Sequence, residues 1–530
     1  MAVDLLIKDG LIVDGSGQPG FRADVALAEG KIVAVEEVLS PDSARRVIAA
    51  GGLVVCPGFI DVHSHDDYYL LSQPGAPAKL AQGVTTTVVG NCGFSVGPFS
   101  AVHRDEYLKA TSIFGSGWVE DDLAGVASLG DYLDLLEAKR PGLNAISLVG
   151  HCTIRLAVMG MDQRPPTPAE LAAMKDLAAR AMAEGAWGLS TGLIYAPGSY
   201  ANLAELIDLA GVAAAWGGLY ASHIRDEGQG VIGAIEEALE IGRRAGLPVH
   251  VAHHKIAGRP VWGLSRKTLE LMDQARAEGL AVTCDQYPYE ASYTNLAALL
   301  PPTVLAGGPE AFRPKLSDPS FREELKRTMR QGPRGLERWG GENLLLVNAP
   351  HYPAFIGRSL AEIGQAASKD LYDLVFDLVA EEAFEAGVII FNMGEEDIAR
   401  IMSHPWTMVG SDGIPSLGES RVHPRFSGSF PRVLGRYVRD KGVLTLSEAV
   451  RKMTSLPAQA FGLKNKGLIK TGRDADLVIF DPARIQDGAT FKEPLAPPEG
   501  VEFVLVHGQL AVEEGRITGE RAGVVQRRSS

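Results

Sequence analysis

The stretch GFIDVHSH, residues 58–65, decides the fold class of this chain. Its apolar start predicts a buried β-strand, and two histidines separated by one residue stand at the end of that strand. Because the side chains of a strand alternate between its two faces, His63 and His65 point the same way. This spacing suits the chelation of one metal ion. Polar groups at a strand end are typical of a site at the mouth of a parallel barrel.

Apolar runs alternate with Ala-, Leu- and Glu-rich helical patterns on both sides of this stretch, such as Pro168–Glu184 and Gly230–Ala245. The alternation favours a parallel sheet covered by helices, and eight units favour a closed (β/α)₈ TIM barrel, an α/β fold. Val388–Phe391 is a ninth candidate strand. The eight predicted strands are Phe59–Val62, Val84–Val89, Ala145–Val149, Gly188–Thr191, Gly218–Ala221, Pro248–Ala252, Leu280–Cys284 and Thr407–Val409.

Both ends of the chain carry short alternating strands separated by Gly-rich turns, such as Asp24–Ala28 and Glu502–Val506. We therefore predict a small β-sandwich domain built from both termini, residues 1–57 and 465–530, around a barrel at residues 58–464. Pro-rich and charged stretches interrupt the βα pattern beyond Tyr287. They predict an insertion after the seventh barrel strand, at about residues 288–348.

Composition restricts the class of partner. Of 530 residues, 51 are Lys or Arg and 65 are Asp or Glu, which gives a net charge of −14 without long like-charged runs. This charge argues against nucleic acid and anionic membranes as partners and favours a small-molecule substrate. No apolar run reaches the length of a membrane span. The sequence leaves the oligomeric state open.

The cysteines and the start of the chain indicate a compartment. Four scattered cysteines in a chain of this length are too few for a disulfide framework, which favours a reducing environment. Asp4 and Lys8 interrupt the apolar residues at the N-terminus, and no basic start precedes an unbroken apolar run, so no signal peptide is predicted. We therefore expect a cytoplasmic protein.

Metal-binding and acidic residues follow four further strands of the predicted barrel. A lone cysteine is most often buried and inert, and a lone histidine or aspartate is often structural. Six such groups at the strand ends of one barrel indicate a metal centre and a base. In chain order they are His63, His65, Cys92, His223, His253 and Asp412.

These positions resemble those of the metal-dependent amidohydrolases, which carry His-x-His after strand one, single histidines after strands five and six, and an aspartate after strand eight. The stretch NCGFS, residues 91–95, is similar to the N-acyl-D-amino-acid deacylase branch, which has a cysteine where most of the superfamily uses a bridging carboxylated lysine. The resemblance covers nearly the whole chain. Further similar stretches are GLSTGL at 188–193, DQYPY at 285–289, SDG at 411–413, HPR at 423–425 and RKMT at 451–454.

The resemblance implies a tight zinc site formed by Cys92, His223 and His253. It also implies a weaker second site formed by His63, His65 and the shared Cys92. Thiolate and imidazole ligands favour zinc over magnesium or calcium, and three protein ligands leave a position for water, as in catalytic zinc sites.

The same resemblance implies hydrolysis of the amide bond of N-acyl-D-amino acids. Asp412 would take the proton of the attacking water and pass it to the departing amine. Lys255, Tyr287 and Arg425 are candidates to bind the substrate carboxylate, and Tyr195 to donate to the scissile carbonyl. The segment 291–300 offers no cation to an acidic side chain, so we expect apolar D-residues.

Two alternatives stay open at this level. One is a cyclic-amide hydrolase of the dihydropyrimidinase or hydantoinase type, or a general amidase, on the same barrel; Cys92 counts against it. The other is a non-catalytic scaffold of the same fold, against which the complete set of six groups counts. His151 and His351 are weaker site candidates, and His254, adjacent to His253, should face away from it.

Overall fold

A computed structural model describes residues 3–332, 335–416 and 421–528. Its centre is a ring of eight short parallel strands, and their order along the chain is also their order in space. The third strand is split at Leu148, so that its first half pairs with the second strand and its second half with the fourth. The barrel strands are Phe59–Asp61, Val84–Val89, Asn144–Ser147 with Val149–Gly150, Gly188–Gly192, Leu219–His223, Val249–Val251, Val282–Gln286 and Thr407–Val409.

The ring closes between the eighth strand and the first. Beyond the strand ends, the His65 amide donates to the Gly413 carbonyl at 3.0 Å, and the Asp412 amide donates to the His63 carbonyl at 2.7 Å. A parallel bridge joins Ser64 to Gly413 between these two bonds. The predicted (β/α)₈ barrel is confirmed, and its last closing contacts lie at the carboxyl edge where the chemistry is expected.

Helices cover the outside of the barrel. Pro168–Ala183 begins with a capping box between Thr167 and Glu170 and has proline in its first turn, while Val231–Ala245 ends at Gly246 in the left-handed conformation. Both helices lie within one residue of their predicted bounds. Further helices that follow barrel strands are Tyr69–Ser72, Pro77–Leu80, Arg104–Ala110, Leu129–Ala138, His151–Met159, Leu203–Ala215, Ser265–Ala277, Glu395–Ser403, Arg425–Arg432, Leu446–Met453 and Ser455–Phe461.

The two ends of the chain share one nine-stranded sheet. Val54–Pro57 joins them, since it pairs parallel with Val3–Ile12 and antiparallel with Leu477–Phe480. Buried side chains from both ends form one apolar cluster, with Val25 and Ile32 from the first and Leu505 from the second. The remaining strands of this sheet are Phe21–Ala28, Lys31–Glu36, Ala44–Ala49, Val501–Val506, Gln509–Glu513 and Arg516–Ile517.

A long excursion follows the seventh barrel strand, as predicted, but it ends much later than residue 348. Its three antiparallel strands are Ala291–Asn295, Leu344–Asn348 and Gly387–Phe391, and the last of these is the central one. The ninth candidate strand therefore belongs to the excursion and not to the barrel. The helices of the excursion are Pro309–Ser317, Pro319–Gln331, Leu360–Ala367 and Leu371–Glu382.

Across the described ranges, no helix combines the length and the apolar character that a membrane crossing requires.

Candidate active site

The six predicted ligand and base residues lie together at the carboxyl ends of five barrel strands. They come from the first, second, fifth, sixth and eighth strands, and each residue is at most 5% exposed. They form two groups of possible ligand atoms, within 4.8 Å of one another in each group, that share Cys92. One group is His63, His65, Cys92 and Asp412, and the other is Cys92, His223 and His253.

Cys92 is the centre of this cluster. Its Sγ lies 3.3 Å from Nε2 of His63, 3.6 Å from Nδ1 of His223 and 3.4 Å from Nε2 of His253. The three imidazoles therefore turn one ring nitrogen each toward a single sulfur. One thiolate in this place can serve two neighbouring metal positions.

Three of the six residues have a left-handed backbone, with φ of 52° at Cys92, 33° at His253 and 46° at Asp412. Residues other than glycine adopt this conformation rarely, because Cβ crowds the backbone. Each of the three stands just beyond the end of a strand, where the chain turns sharply across the barrel mouth. The strained turns aim a sulfur, an imidazole and a carboxylate at one point.

The charge state of Cys92 fits a metal ligand. Burial raises the pKa of its thiol, but His63 and His253 outweigh burial and hold the pKa well below its ordinary value. The thiolate is the form of cysteine that binds metals. One thiolate with two imidazoles is a ligand set that suits zinc and leaves a coordination position for water.

Asp412 lies between the histidines of the first strand and a buried arginine. Its Oδ1 is 3.2 Å from Nε2 of His65 and 3.5 Å from Nε2 of His63, and its Oδ2 is 2.9 Å from Nη1 of Arg425. Burial raises the pKa of Asp412, but Arg425 and His253 hold it well below its ordinary value. The carboxylate is therefore ionised and able to accept a proton.

Asp285 contacts His63 on the side of the ring away from Cys92, and it also contacts the backbone amide of His253. Its Oδ1 lies 3.3 Å from Nδ1 of His63 and 2.8 Å from Nε2 of His250, and it accepts a 2.9 Å bond from the His253 amide. A carboxylate behind a ligating histidine fixes its tautomer and ring orientation. Asp285 stands in one of the motifs quoted above, but nothing in the sequence gave it this role.

Glu227 is a second supporting carboxylate that sequence reasoning missed. Its Oε1 lies 3.2 Å from Nδ1 of His253 and 3.5 Å from Nε2 of His223, and it accepts a hydrogen bond from Lys255. Lys255 Nζ is also 2.7 Å from Nδ1 of His253. The available signal was the stretch SHIRDE, residues 222–227, where a carboxylate follows His223 by four positions.

A cavity of about 120 Å³ opens beside His223, His253 and Asp412. Lys255 and Tyr287 line it, and both are buried. The Tyr287 hydroxyl has no hydrogen-bond partner within the described part of the chain. An ammonium group and a free phenolic donor thus face the same space, as a carboxylate ligand requires.

Tyr195 lines the same cavity on the side of His223, with the two ring centres 4.9 Å apart. Its hydroxyl accepts a 3.2 Å hydrogen bond from Thr294. Burial raises the pKa of Tyr195 well above its ordinary value, so the hydroxyl keeps its proton and can donate it to an oxygen acceptor.

Residues 46–294 and 370–512 of the chain match the profile of the amidohydrolase family. The chain belongs to this family. The residues between the two matched segments, 295–369, fall inside the excursion that follows the seventh barrel strand. The matched segments of this amidohydrolase contain all eight barrel strands and part of the sheet of the chain ends.

Full-length relatives narrow the comparison. A D-aminoacylase from Alcaligenes xylosoxydans xylosoxydans is 40% identical over 527 residues, which cover 99% of this chain and 98% of the relative. An N-acyl-D-glutamate deacylase from the same organism is 40% identical over 528 residues, covering 100% and 97%. The resemblance predicted from the sequence motifs is confirmed.

A solved structure agrees with the fold along the whole chain. The N-acyl-D-glutamate deacylase from Bordetella bronchiseptica, complexed with zinc and a phosphonate inhibitor that mimics the tetrahedral intermediate, matches with a TM-score of 0.84 at 38% identity. The match covers 100% of both chains. The predicted fold class of this amidohydrolase is therefore confirmed at the level of the complete chain.

Arg425 occupies a different place from the other predicted substrate-binding residues. It is 1% exposed, pairs with Asp412, donates to the Tyr293 carbonyl at 3.2 Å and lies 4.5 Å from the ring centre of Tyr287. Arg425 does not line the 120 Å³ cavity of this amidohydrolase. Its charge therefore acts first on Asp412, because Arg425 begins the helix Arg425–Arg432 directly beside that carboxylate.

The three weaker histidine candidates lie in separate surroundings. His254 bonds Thr268 at 2.8 Å in a buried contact, as expected for a side chain that faces away from His253. His151 Nε2 lies 2.9 Å from Glu205, which also holds Arg155. His351 is an exposed partner of Glu382. None of the three belongs to the groups of possible ligands around Cys92.

Proposed function

We propose that the protein hydrolyses the amide bond of N-acyl-D-amino acids and releases a carboxylate and a free D-amino acid, with zinc as its cofactor. One observation carries this proposal: the Cys92 thiolate lies 3.3–3.6 Å from three imidazoles at the edge of a cavity that also contains Lys255 and Tyr287. The solved zinc-containing deacylase with the same fold supports it.

Cys92, His223 and His253 form the proposed tight zinc site, since one thiolate and two imidazoles bind zinc more strongly than histidines alone. His63, His65 and the shared Cys92 form the proposed weaker site. A zinc ion bound at the tight site supplies a Lewis acid for the scissile carbonyl and activates water for attack.

Asp412 is the proposed base and acid. In the first step its carboxylate takes one proton from the attacking water, whose oxygen forms the new bond to the carbonyl carbon. In the second step the carboxyl returns that proton to the amide nitrogen as the C–N bond breaks, so a neutral amine leaves and Asp412 is ionised again. Tyr195 donates a hydrogen bond to the carbonyl oxygen.

Lys255 and Tyr287 are the proposed partners of the substrate α-carboxylate, and Arg425, 4.5 Å from the ring centre of Tyr287, stays a candidate beside them. With the carbonyl held at the metal centre and the carboxylate held at Lys255, only one direction is left for the amino-acid side chain. The opposite enantiomer must point its side chain into the wall. The free hydroxyl of Tyr287 supports this assignment.

An apolar side chain is proposed for the released D-amino acid. Ala298, Leu299 and Ile390 line the cavity, which fits such a side chain. Arg338 also lines the cavity, but Asp226 stands with it on the same wall and opposes an acidic side chain.

The test is a comparison of kcat/KM on purified protein of known zinc content. N-Acetyl-D-leucine should be hydrolysed, N-acetyl-L-leucine and a hydantoin hardly at all, and N-acetyl-D-glutamate and N-acetyl-D-aspartate less well than the leucine derivative. Equal kcat/KM for the two enantiomers would identify a general amidase instead. A higher kcat/KM for the hydantoin would identify a cyclic-amide hydrolase. Zinc-free, inactive protein would identify a scaffold.

Four free, buried cysteines support a location in the cytoplasm, where thiols stay reduced. This location remains a prediction from the sequence.

A further inference from the structure

A second, smaller cavity lies on the other side of Asp412. The 120 Å³ cavity touches His223 and His253, whereas the small cavity touches His65. The two share a boundary formed by Tyr195, Tyr293, Thr294 and Asp412. A substrate whose carbonyl stands at this boundary therefore has one end in each cavity.

Beyond its boundary the small cavity is lined mainly by apolar side chains, together with His65 and Asn295. Phe94, Ile113, Phe114 and Ile414 line it, and each is at most 8% exposed. Phe114 stacks on His65, with ring centres 4.4 Å apart, and lies 5.7 Å from the ring centre of Phe94. Its described lining contains no lysine or arginine. A carboxylate would be unpaired there, whereas a hydrocarbon group would not.

Size restricts the hydrocarbon group. The small cavity has a volume of about 10 Å³, against about 120 Å³ for the cavity with Lys255. A cavity of roughly 10–15 Å³ holds the centre of one water-sized sphere, so the small one accepts a single methyl-sized group. Its walls belong to a tightly packed core that resists added carbon atoms.

We infer that the small cavity is the acyl subsite and that it restricts the enzyme to formyl and acetyl groups. This inference rests on the proposed function, since the carboxylate must lie on the Lys255 side. In a trans amide the acyl carbon attached to the carbonyl and the α-carbon attached to the nitrogen lie on opposite sides of the C–N bond. The acyl group then enters the space between His65, Phe94 and Phe114.

Ile113 sets the depth of this subsite. It lies in the short helical segment Ser112–Phe114, outside the barrel strands, and forms part of the cavity wall without standing next to a ligand in the chain. Its side chain can therefore be changed while the backbone of the metal centre is left in place. Val119, buried in the same connection between the second and third strands, does not line either cavity and provides a matched control.

The experiment measures kcat/KM for N-formyl-, N-acetyl-, N-butyryl- and N-hexanoyl-D-leucine. For the wild type we expect the N-butyryl value to lie at least tenfold below the N-acetyl value, since about 10- to 200-fold is typical for one methylene in a fitted pocket. Ile113→Ala should narrow that ratio by about tenfold, whereas Val119→Ala should leave it as in the wild type. Ile113→Phe should reduce N-acetyl turnover more than N-formyl turnover.

Equal kcat/KM for the N-acetyl and N-butyryl substrates in the wild type would overturn the inference. It would also be overturned if Ile113→Ala left the acetyl-to-butyryl ratio unchanged and Ile113→Phe left the acetyl-to-formyl ratio unchanged. Zinc analysis and circular dichroism of each variant identify any protein that has lost its metal or its fold, and the remaining variant then decides. The proposed function fails in a different way, namely when no acyl derivative of D-leucine is preferred over its L-form.

Discussion

The Oε1 atom of Glu227 lies 3.2 Å from Nδ1 of His253, on the side of the imidazole opposite Cys92. Since Nε2 faces the sulfur, Nδ1 is the ring nitrogen left to face Glu227, and Nζ of Lys255 lies 2.7 Å from the same Nδ1. The same oxygen binds Lys255 and lies 3.5 Å from His223. One carboxylate thus orients two proposed zinc ligands and the proposed carboxylate-binding cation.

Glu227→Gln should weaken zinc binding by about 10- to 100-fold, the usual effect of removing a carboxylate behind a ligating histidine. A chelator competition on the purified variant measures this. Glu237→Gln removes a carboxylate that pairs with Arg225 instead and should keep the zinc affinity of the wild type. Identical affinities for the two variants would remove Glu227 from the support of the metal centre.

Cys92→Ala should abolish the tight zinc site, because His223 and His253 lose the thiolate that completes the proposed set of three ligands. Elemental analysis after dialysis should find close to one zinc per chain in the wild type and almost none in the variant. Cys284→Ala is the control, since burial raises the pKa of that thiol to about 12 and it is no ligand. A Cys92→Ala protein that retains zinc and activity would contradict the assignment.

Asp412→Asn preserves the shape of the side chain but cannot take a proton, so kcat should fall by about a hundredfold or more. The zinc content of the tight site should stay near that of the wild type. Asp487→Asn, which removes the carboxylate partner of Arg432, should turn over normally. Near wild-type turnover in Asp412→Asn would exclude proton transfer by this residue.

Tyr287→Phe should lower kcat/KM for N-acetyl-D-leucine by about tenfold or more, because a hydrogen bond to a charged carboxylate contributes roughly 1.5–3 kcal/mol. The same substitution should lower kcat/KM for the methyl ester of this substrate less, because the ester has no carboxylate to bind. Tyr289→Phe is a control in a neighbouring ring that does not line the cavity. The same loss for acid and ester would place the hydroxyl elsewhere in the mechanism.

A buried ion pair away from the metal centre should make stability depend on pH. Glu205 binds Arg155 through both oxygens at 2.7–2.8 Å and lies 2.9 Å from His151. Burial raises the pKa of Glu205, but His151 and Arg155 outweigh burial and hold it below its ordinary 4.5. Its folded pKa is lower than its unfolded pKa, so its contribution is complete above the unfolded value and is lost as pH falls through the folded value.

Glu205→Gln should therefore reduce the free energy of unfolding at pH 7 by about 3–5 kcal/mol, because Arg155 is left buried without its partner. The difference from the wild type should shrink as pH falls below the ordinary pKa of 4.5. Denaturant titrations at pH 7 and at pH 3.5 measure both effects. Glu324→Gln, in an exposed pair with Arg327, should change stability little. A pH-independent difference would contradict the linkage.

The metal centre could be predicted from the sequence because barrel topology brings strand ends together. The two-residue period of a strand was enough to predict His63 and His65. A position directly after a predicted strand was enough for the other four, Cys92, His223, His253 and Asp412. Glu227 and Asp285 could not be assigned in this way. Their roles depend on which side chains reach each other across loops and neighbouring strands, and no local period encodes that.

The excursion shows the corresponding limit for the fold. Val388–Phe391 has the composition of a buried barrel strand, and it is buried except at Phe391. What separates it from the barrel is its antiparallel pairing with Ala291–Asn295 and Leu344–Asn348. The sequence of a strand does not show which distant segments of the chain pair with it. The pairing of Arg425 with Asp412 was hidden in the same way, because it joins a strand end to the start of the following helix. The contact of Arg425 with a substrate carboxylate stays a prediction.

The left-handed turns at Cys92, His253 and Asp412 also bear on attempts to engineer this protein for heat resistance. Glycine at any of the three would relieve a backbone cost of about 1–2 kcal/mol, so a search guided by folding energy alone would favour glycine there. Each such change would also remove a proposed metal ligand or the proposed base. At these three positions the protein gives up stability for activity, and an engineer should leave them unchanged.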